Sequence, residues 1–226
     1  GRTAPNYVTF ALIELKRGEP NKAQQALRNA LRLEPDNRDA LHAFESFAYA
    51  ENRIRVFETT LEQVQKNLEE DGKAESASTR ARFLAARARV ATRMHKDLDQ
   101  AENLYRQAIA LAPTEPEVLA SFGEFARAHQ RLAVFDESLR SAGRTLENEW
   151  EQRVIEAVVT GLRGDRDSFT QAAESLENVL TERQQAFVYR GTRLPLLAWA
   201  AQFLVTEYEA RKADVVLSGE TLMRFA

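Results

Sequence analysis

The sequence predicts an all-α protein built from stacked pairs of amphipathic helices. Three observations indicate this fold class. A long unit recurs over the first two thirds of the chain, its apolar residues are spaced three and four positions apart, and short turns with Gly, Pro and Asn separate the apolar stretches. Because a single helix pair cannot bury its apolar face alone, neighbouring pairs are expected to stack on one another.

The recurrence is clearest between residues 41–64 and residues 119–142. At one constant offset, Leu41, Phe44, Phe47, Ala48, Ala50, Arg53, Val56, Phe57 and Leu61 align with Leu119, Phe122, Phe125, Ala126, Ala128, Arg131, Val134, Phe135 and Leu139. The segments before them follow the same offset, which aligns Ala23, Leu27, Ala30, Leu33 and Pro35 with Ala101, Tyr105, Ala108, Leu111 and Pro113. Small residues recur where the helices of a pair would cross, since closely packed helix axes leave no room for large side chains.

The first unit resembles a tetratricopeptide repeat, a helix-turn-helix unit of 34 residues with Trp, Leu, Gly, Tyr, Ala, Phe, Ala and Pro at fixed positions. Those positions are occupied here by Tyr7, Phe10, Ala11, Glu14, Ala23, Leu27, Ala30 and Pro35. Glu14 departs from the pattern, as do Glu45 and Phe57 in the second repeat. The third repeat carries a one-residue irregularity near "MHKDLD", and Gly123 takes the small position of the fourth.

The resemblance implies a right-handed superhelical solenoid of antiparallel helix pairs. It places four repeats in residues 1–142, at about 5–36, 37–70, 79–114 and 115–143, with "EEDGKAES" as an acidic linker between the second and the third. Residues 143–226 are predicted to form degenerate or capping helices that continue the same solenoid. Two of them flank "RGDRD" and two follow "YRGTRLP", and their register admits more than one alignment.

Composition narrows the classes of function. The net charge of -3 gives no bulk attraction to nucleic acid or anionic lipid, and the absence of cysteine excludes disulfides, thiol nucleophiles and zinc sites built on thiolates. The longest apolar run, "LPLLAWAAQFLV" at residues 194–205, is shorter than the roughly 20 residues that span a bilayer. We therefore expect a soluble protein without a membrane span, for which a cytoplasmic and a periplasmic location both fit.

The sequence offers no motif for catalysis. His42, His95 and His129 lie in different repeats without an HExxH pair, and no Gly-rich loop opens a helix to hold phosphate. Ser46 and Ser121 lie within helical repeats rather than at a strand-turn-helix elbow. We therefore expect a protein that is not an enzyme and needs no metal or cofactor.

One stretch, "TRARFLAARARVATRMHK" at residues 79–96, holds five arginines and one lysine without an acidic residue. On a helical wheel, Arg82, Arg89, Arg93 and Lys96 gather opposite the apolar face. Two interpretations remain open: a solvated helix face, or one wall of a binding groove. Arginines on successive turns can each form two hydrogen bonds to a carboxylate, so the groove interpretation predicts a partner with an acidic segment.

The resemblance assigns the groove to the first helix of each pair, because tetratricopeptide arrays hold an extended peptide or a helix on that concave side. It implies the partner-binding residues Val8, Leu12, Leu15, Lys16, Asp39, His42, Tyr49, Arg82, Arg89, Arg93, Glu117, Glu124 and Arg127. The partner is expected to place apolar side chains opposite Val8, Leu12 and Leu15.

The predicted function is a non-enzymatic scaffold that binds a protein or peptide in this groove, as a segment of a larger assembly or secretion protein. One alternative is a nucleic-acid-binding helical repeat that uses residues 79–96. The acidic total and the lack of aromatic residues among the arginines count against it. The other alternative is a module that self-associates through residues 194–205, for which the competing interpretation is a buried terminal helix.

Overall fold

The computed structural model describes residues 3–70, 77–187 and 195–211, and in this part of the chain it contains α-helices and no β-strand. The helices are α1 (Ala4–Lys16), α2 (Pro20–Leu33), α3 (Arg38–Ala50), α4 (Ile54–Glu70), α5 (Ala77–Val90), α6 (Leu98–Leu111), α7 (Pro116–Ala128), α8 (Leu132–Gly143), α9 (Glu149–Gly161), α10 (Arg166–Phe187) and α11 (Pro195–Arg211). The predicted all-α class is confirmed. Residues 69 and 70 of the expected linker belong to α4. The rest of the linker, 71–76, the break at 189–194 and the last helix at 213–225 lie outside the described residues.

The contacts divide the chain into two compact units, Gly1–Leu104 and Tyr105–Ala226. The first unit contains α1 to α5 and the start of α6. The second contains the rest of α6 and α7 to α11. The prediction that all the repeats form one continuous solenoid stays a prediction.

The turn inside each helix pair places one residue in the left-handed region of the backbone. These residues are Gly18, Asn52, Lys96, Gln130 and Gly164, with φ between 53° and 81°. Thirty-four residues separate Gly18 from Asn52, Lys96 from Gln130 and Gln130 from Gly164, which is the period of a tetratricopeptide repeat. The turn at Gly164 lies between α9 and α10, so the period continues into the part of the chain where the sequence left the register open.

Backbone hydrogen bonds close the turns at Asn52 and Gln130 in the Schellman manner, in which an amide beyond the helix end donates to a carbonyl of the last turn. The amide of Arg53 donates to Ala48 O at 2.8 Å and that of Arg131 to Ala126 O at 2.7 Å, five residues back in each case. In the third repeat the amide of Asp97 donates to Ala91 O at 3.1 Å, six residues back. A π-helical turn, Ala91–His95, supplies the extra residue, so the irregularity predicted near "MHKDLD" is confirmed.

The core of the first unit joins α1 to α5. Phe57, which departs from the repeat pattern, is fully buried and meets the Phe44 ring edge to face at 5.3 Å. Glu14, another departure from the pattern, is buried too, and its Oε1 accepts a hydrogen bond from Arg17 Nη1 at 2.9 Å. The small residues expected at the helix crossings of this unit are buried, namely Ala11, Ala23, Ala30 and Ala48.

In the second unit, α11 packs against α7 and α9. Gly123 in α7 makes room for it, because a Cβ atom there would lie 2.8 Å from Phe203 Cε2. Gly161 in α9 faces Leu204 in the same way. Glycine within a helix costs about 1 kcal/mol relative to alanine, and the close approach of α11 explains its use here.

The described part of the apolar run, residues 195–205, therefore belongs to a buried helix, α11. Leu196, Leu197, Trp199, Phe203 and Leu204 are all at least nine-tenths buried within the second unit. An oligomer interface built from these side chains is not supported, because the same chain already covers them.

Candidate functional site

The predicted groove residues of the first unit lie on α1, on α3, and on α5 with the π-helical turn that follows it. α1 contacts α3, and α3 is joined to α5 through side-chain pairs. We call this region the α1–α3–α5 surface. It consists of Val8, Leu12, Leu15, Lys16, Asp39, His42, Tyr49, Arg89 and Arg93.

The expectation that Arg82 binds a partner is corrected by the structure. It is only 6% exposed, and it donates hydrogen bonds to Asp36 O from Nη1 and to Thr79 Oγ1 from Nη2, both at 3.1 Å. Its Nε lies 3.3 Å from Ser78 O. Each nitrogen of the guanidinium therefore has an acceptor within the chain, and Arg82 ties the turn before α3 to α5 instead of facing a partner.

The same expectation for Arg89 is corrected as well. Its Nε donates to Glu45 Oε1 at 2.8 Å and its Nη2 to Glu45 Oε2 at 2.6 Å. The two side chains are only 14% and 8% exposed, so this two-bond pair is nearly shielded from water. The carboxylate expected from a partner at Arg89 is provided by α3 of the same unit.

Arg93 is placed differently, because it is exposed and lies over an aromatic ring. Its guanidinium carbon is 5.2 Å from the centre of the Tyr49 ring, within the range of a cation–π contact. It has no hydrogen bond or ion pair with any described residue. Arg93 is therefore the member of the predicted arginine set whose donors a partner can reach.

The Tyr49 hydroxyl is buried and finds no hydrogen-bond partner within residues 3–70, 77–187 and 195–211. Burial, reinforced by the Glu45 carboxylate, raises the pKa of Tyr49 to about 12. The phenol thus keeps its proton at neutral pH and can donate one hydrogen bond. A buried donor without an acceptor costs about 1–3 kcal/mol of stability.

The α1 part of the surface is apolar. Leu12 is 54% exposed, whereas Val8 and Leu15 are half-buried against the core of the unit. Lys16, Asp39 and His42 are exposed and form its polar margin. At the far side of Arg93, His95 Nε2 lies 3.3 Å from Glu58 Oε1.

In the second unit, the predicted groove residue Arg127 contacts side chains of the same chain. Its Nη2 lies 2.7 Å from Glu207 Oε1, and its guanidinium carbon lies 5.5 Å from the centre of the Phe203 ring, both in α11. Glu207 is only 2% exposed. Of the two other predicted residues of α7, Glu124 is exposed and Glu117 is half-buried. In this unit α11 thus covers part of the surface that the sequence assigned to a partner.

No protein-family model matches the sequence, and no curated protein matches it. Among solved structures, the chain is similar to a tetratricopeptide repeat protein from Parabacteroides merdae, with 14% identity, a TM-score of 0.38, and 98% of this chain and 96% of the other covered. The tetratricopeptide-like description therefore rests on this chain's own helix pairs and their 34-residue period.

The carboxylates Glu45 and Glu207 are the site residues that sequence reasoning missed. Glu45 left a signal, since it occupies a position that the repeat pattern reserves for a small residue. A buried carboxylate needs a cation, and the arginine-rich α5 was the natural source. Glu207 left no such signal, because α11 matches no repeat position.

The described residues include no group of three or more His, Asp or Glu side chains placed to hold a metal ion. No described helix combines the length and apolarity needed to cross a membrane.

Proposed function

We propose that the protein is a non-enzymatic scaffold that binds a segment of a partner protein on the α1–α3–α5 surface. The observation that carries the proposal is the pair of Arg93 and Tyr49. The guanidinium of Arg93 is exposed, rests on the Tyr49 ring and has no ion pair in the described chain. A cation held in this way suits an acceptor group on another molecule.

The chemistry of the surface defines the partner segment. Arg82 and Arg89 already have acceptors within the chain. The partner segment therefore needs one carboxylate opposite Arg93 rather than an extended acidic run. An apolar side chain of the same segment would pack on Leu12. The proposed ligand is therefore a segment that combines one apolar anchor with one acidic residue.

The test compares partner binding by three variants. The protein is used to capture partners from a lysate of its source cells, and the affinity of each retained protein is then measured by calorimetry. Arg93→Glu is expected to weaken binding at least about tenfold, because it places like charges opposite each other. Leu12→Lys should weaken binding by a similar factor, because a charge replaces the apolar contact.

The matched control is Arg55→Glu, which makes the same charge change at an exposed position of α4. Circular dichroism first verifies that all variants are folded. If Arg93→Glu and Arg55→Glu bind equally well, the partner does not use this surface and the proposal fails.

The nucleic-acid alternative receives less support. Arg82 and Arg89 have acceptors within the chain, and Arg87 lies 3.7 Å from Glu62, so the basic helix presents few donors to phosphates. A salt titration with single-stranded RNA tests it, because phosphate binding weakens steeply as salt rises.

A further inference from the structure

An open pocket of about 560 Å³ lies between α8 and α9 in the second unit. The buried part of its lining is apolar, because Leu139 of α8 and Ile155 and Val159 of α9 are all more than nine-tenths buried. The volume lies within the range of pockets that hold small molecules. We call this space the α8–α9 pocket.

The preceding repeat shows how the same space is filled elsewhere in the second unit. Tyr105 of α6 packs on two rings of α7, with centre distances of 5.0 Å to Phe122 and 5.2 Å to Phe125. The two phenylalanines are 0% and 5% exposed. Three aromatic rings therefore fill the contact between α6 and α7.

The next repeat lacks all three rings. A shift of 34 positions, which relates the turn residues Gln130 and Gly164, moves the three ring positions to Leu139, Glu156 and Val159. All three of these residues line the α8–α9 pocket. Glu156 is exposed instead of packed between the helices. The pocket thus lies at the register positions that aromatic rings occupy one repeat earlier.

The border of the pocket is positively charged. The described residues that line it include three arginines and one carboxylate, namely Arg140, Arg144, Arg163 and Glu156. Arg140 is held by Asp136, to which its Nε donates at 2.8 Å. The guanidinium groups of Arg144 and Arg163 are exposed and form no hydrogen bond or ion pair with any described residue.

The two arginines without such a bond border different parts of the pocket. A Cβ atom at Gly143 would lie 3.3 Å from Ile155 Cγ2, so the adjacent Arg144 lies beside the first half of α9. Arg163 follows the end of that helix. A negative group at either end of a ligand can therefore reach a guanidinium.

We propose that the α8–α9 pocket binds a small aromatic anion. The ring of the ligand takes the place of the aromatic side chains that fill the contact between α6 and α7, and its negative group accepts hydrogen bonds from Arg144 or Arg163. An inorganic anion leaves the apolar lining uncovered, and an uncharged aromatic molecule leaves both guanidinium groups without an acceptor. The pocket is separate from the α1–α3–α5 surface, so this inference does not depend on the proposed function.

The test uses a matched pair of fluorescent probes with the full chain. Anilinonaphthalene sulfonate carries two aromatic groups and one negative charge, and N-phenylnaphthylamine has the same rings without the charge. The sulfonate is expected to bind saturably at one molecule per chain, with at least about tenfold higher affinity than the uncharged probe. Inorganic sulfate at matched ionic strength should not displace it.

Glu156→Phe places the binding, because it returns a ring to the position that Phe122 holds in the preceding repeat. Removing a carboxylate by itself favours an anion, so a loss of binding can come only from the filled space. The variant is expected to weaken the sulfonate probe at least about tenfold. Glu149→Phe, the same change at an exposed position of α9 outside the pocket, should bind the probe within about twofold of the wild type.

The double variant Arg144→Gln/Arg163→Gln tests the charge. It is expected to weaken the sulfonate probe at least about tenfold and to leave the uncharged probe unchanged. The control is Arg55→Gln/Arg166→Gln, which removes the same charge at exposed positions that do not line the pocket. Circular dichroism first verifies that every variant is folded.

Four results would overturn the inference. The first is no saturable binding of the sulfonate probe, as expected if another part of the chain fills the pocket. The second is equal affinity for the charged and uncharged probes. The third is unchanged affinity in Glu156→Phe, and the fourth is equal affinity in the two double arginine variants.

Discussion

At the scale of single residues, two arginines of α5 bond to groups of the first unit that lie far away in the sequence. The partner of Arg89 lies 44 positions away in another repeat, and the acceptor of Arg82 is a backbone carbonyl in a turn. Neither contact follows from local periodicity.

The pair of Glu45 and Arg89 gives the first prediction. Arg89→Ala is expected to lower the free energy of unfolding by about 3–5 kcal/mol, because it leaves a buried carboxylate without a cation. The double variant Glu45→Ala/Arg89→Ala should recover part of that loss, since the unpaired charge is gone. Urea unfolding of the four proteins in the cycle measures both values.

Arg87→Ala is the matched control for this cycle. Its pair with Glu62 is long at 3.7 Å, and the two side chains are 30% and 58% exposed, so its loss should cost less than about 1 kcal/mol. Equal losses for Arg87→Ala and Arg89→Ala would mean that the Glu45–Arg89 pair is not shielded as described.

Tyr49→Phe gives the second prediction, in which stability rises without a loss of binding. The variant removes a buried hydroxyl that has no acceptor in the described chain, so the free energy of unfolding should be unchanged or higher by up to about 3 kcal/mol. Binding of the captured partner should stay within about twofold, because the aromatic ring that remains still supports Arg93. A lower free energy of unfolding in urea would mean that the hydroxyl has a partner within the fold.

The pH dependence of this variant has a defined sign. The raised pKa of Tyr49, about 12, exceeds the unfolded value of about 10, so its contribution to stability is full below pH 10 and is lost between pH 10 and 12. The phenylalanine variant has no such titration. Its stability relative to the wild type should therefore rise between pH 10 and 12, as measured by urea unfolding at each pH.

At the scale of elements, apolar spacing and turn residues sufficed to predict the helix pairs, because both are local signals. The left-handed turn residue was harder to predict. At Gly18 and Gly164 the glycine itself indicates a left-handed conformation. Asn52, Lys96 and Gln130 adopt the same conformation although they carry side chains. The π-helical turn was predictable only as a misfit in the repeat spacing.

Gln130→Gly gives the third prediction. The residue lies at φ 58°, where side chains other than glycine are disfavoured, so the variant should gain about 1 kcal/mol of unfolding free energy. Gln130→Ala is the control, because it removes the same side chain without relieving the backbone. An equal change in both variants, measured by thermal unfolding, would contradict the assigned turn.

Gly123→Ala gives the fourth prediction, which concerns the packing of α11 against α7. The added Cβ would meet Phe203 at 2.8 Å, so overpacking of about 1–3 kcal/mol should exceed the gain in helix propensity of about 1 kcal/mol. Adding Phe203→Leu should restore part of the loss by making room. If Gly123→Ala alone stabilises the protein in urea unfolding, α11 does not sit against α7 as described.

At the scale of the whole molecule, the repeat pattern predicted the fold class, whereas the sequence did not foresee that the chain would occupy its own surfaces. Contacts between distant elements decide this occupancy, as in the pair of Arg127 with Glu207. They leave the α1–α3–α5 surface of the first unit as the one we assign to a partner, with Leu12, Tyr49 and Arg93 as its principal residues.

The most direct test of this assignment is site-specific photo-crosslinking. Benzoylphenylalanine is placed at the exposed Ser46 of α3 in one protein and at the exposed Arg55 of α4 in another, and each is irradiated in a lysate of the source cells. We predict a protein adduct at position 46 that excess unlabelled wild type suppresses and excess Arg93→Glu does not. Adducts of equal yield at both positions, or equal suppression by both competitors, would contradict the account.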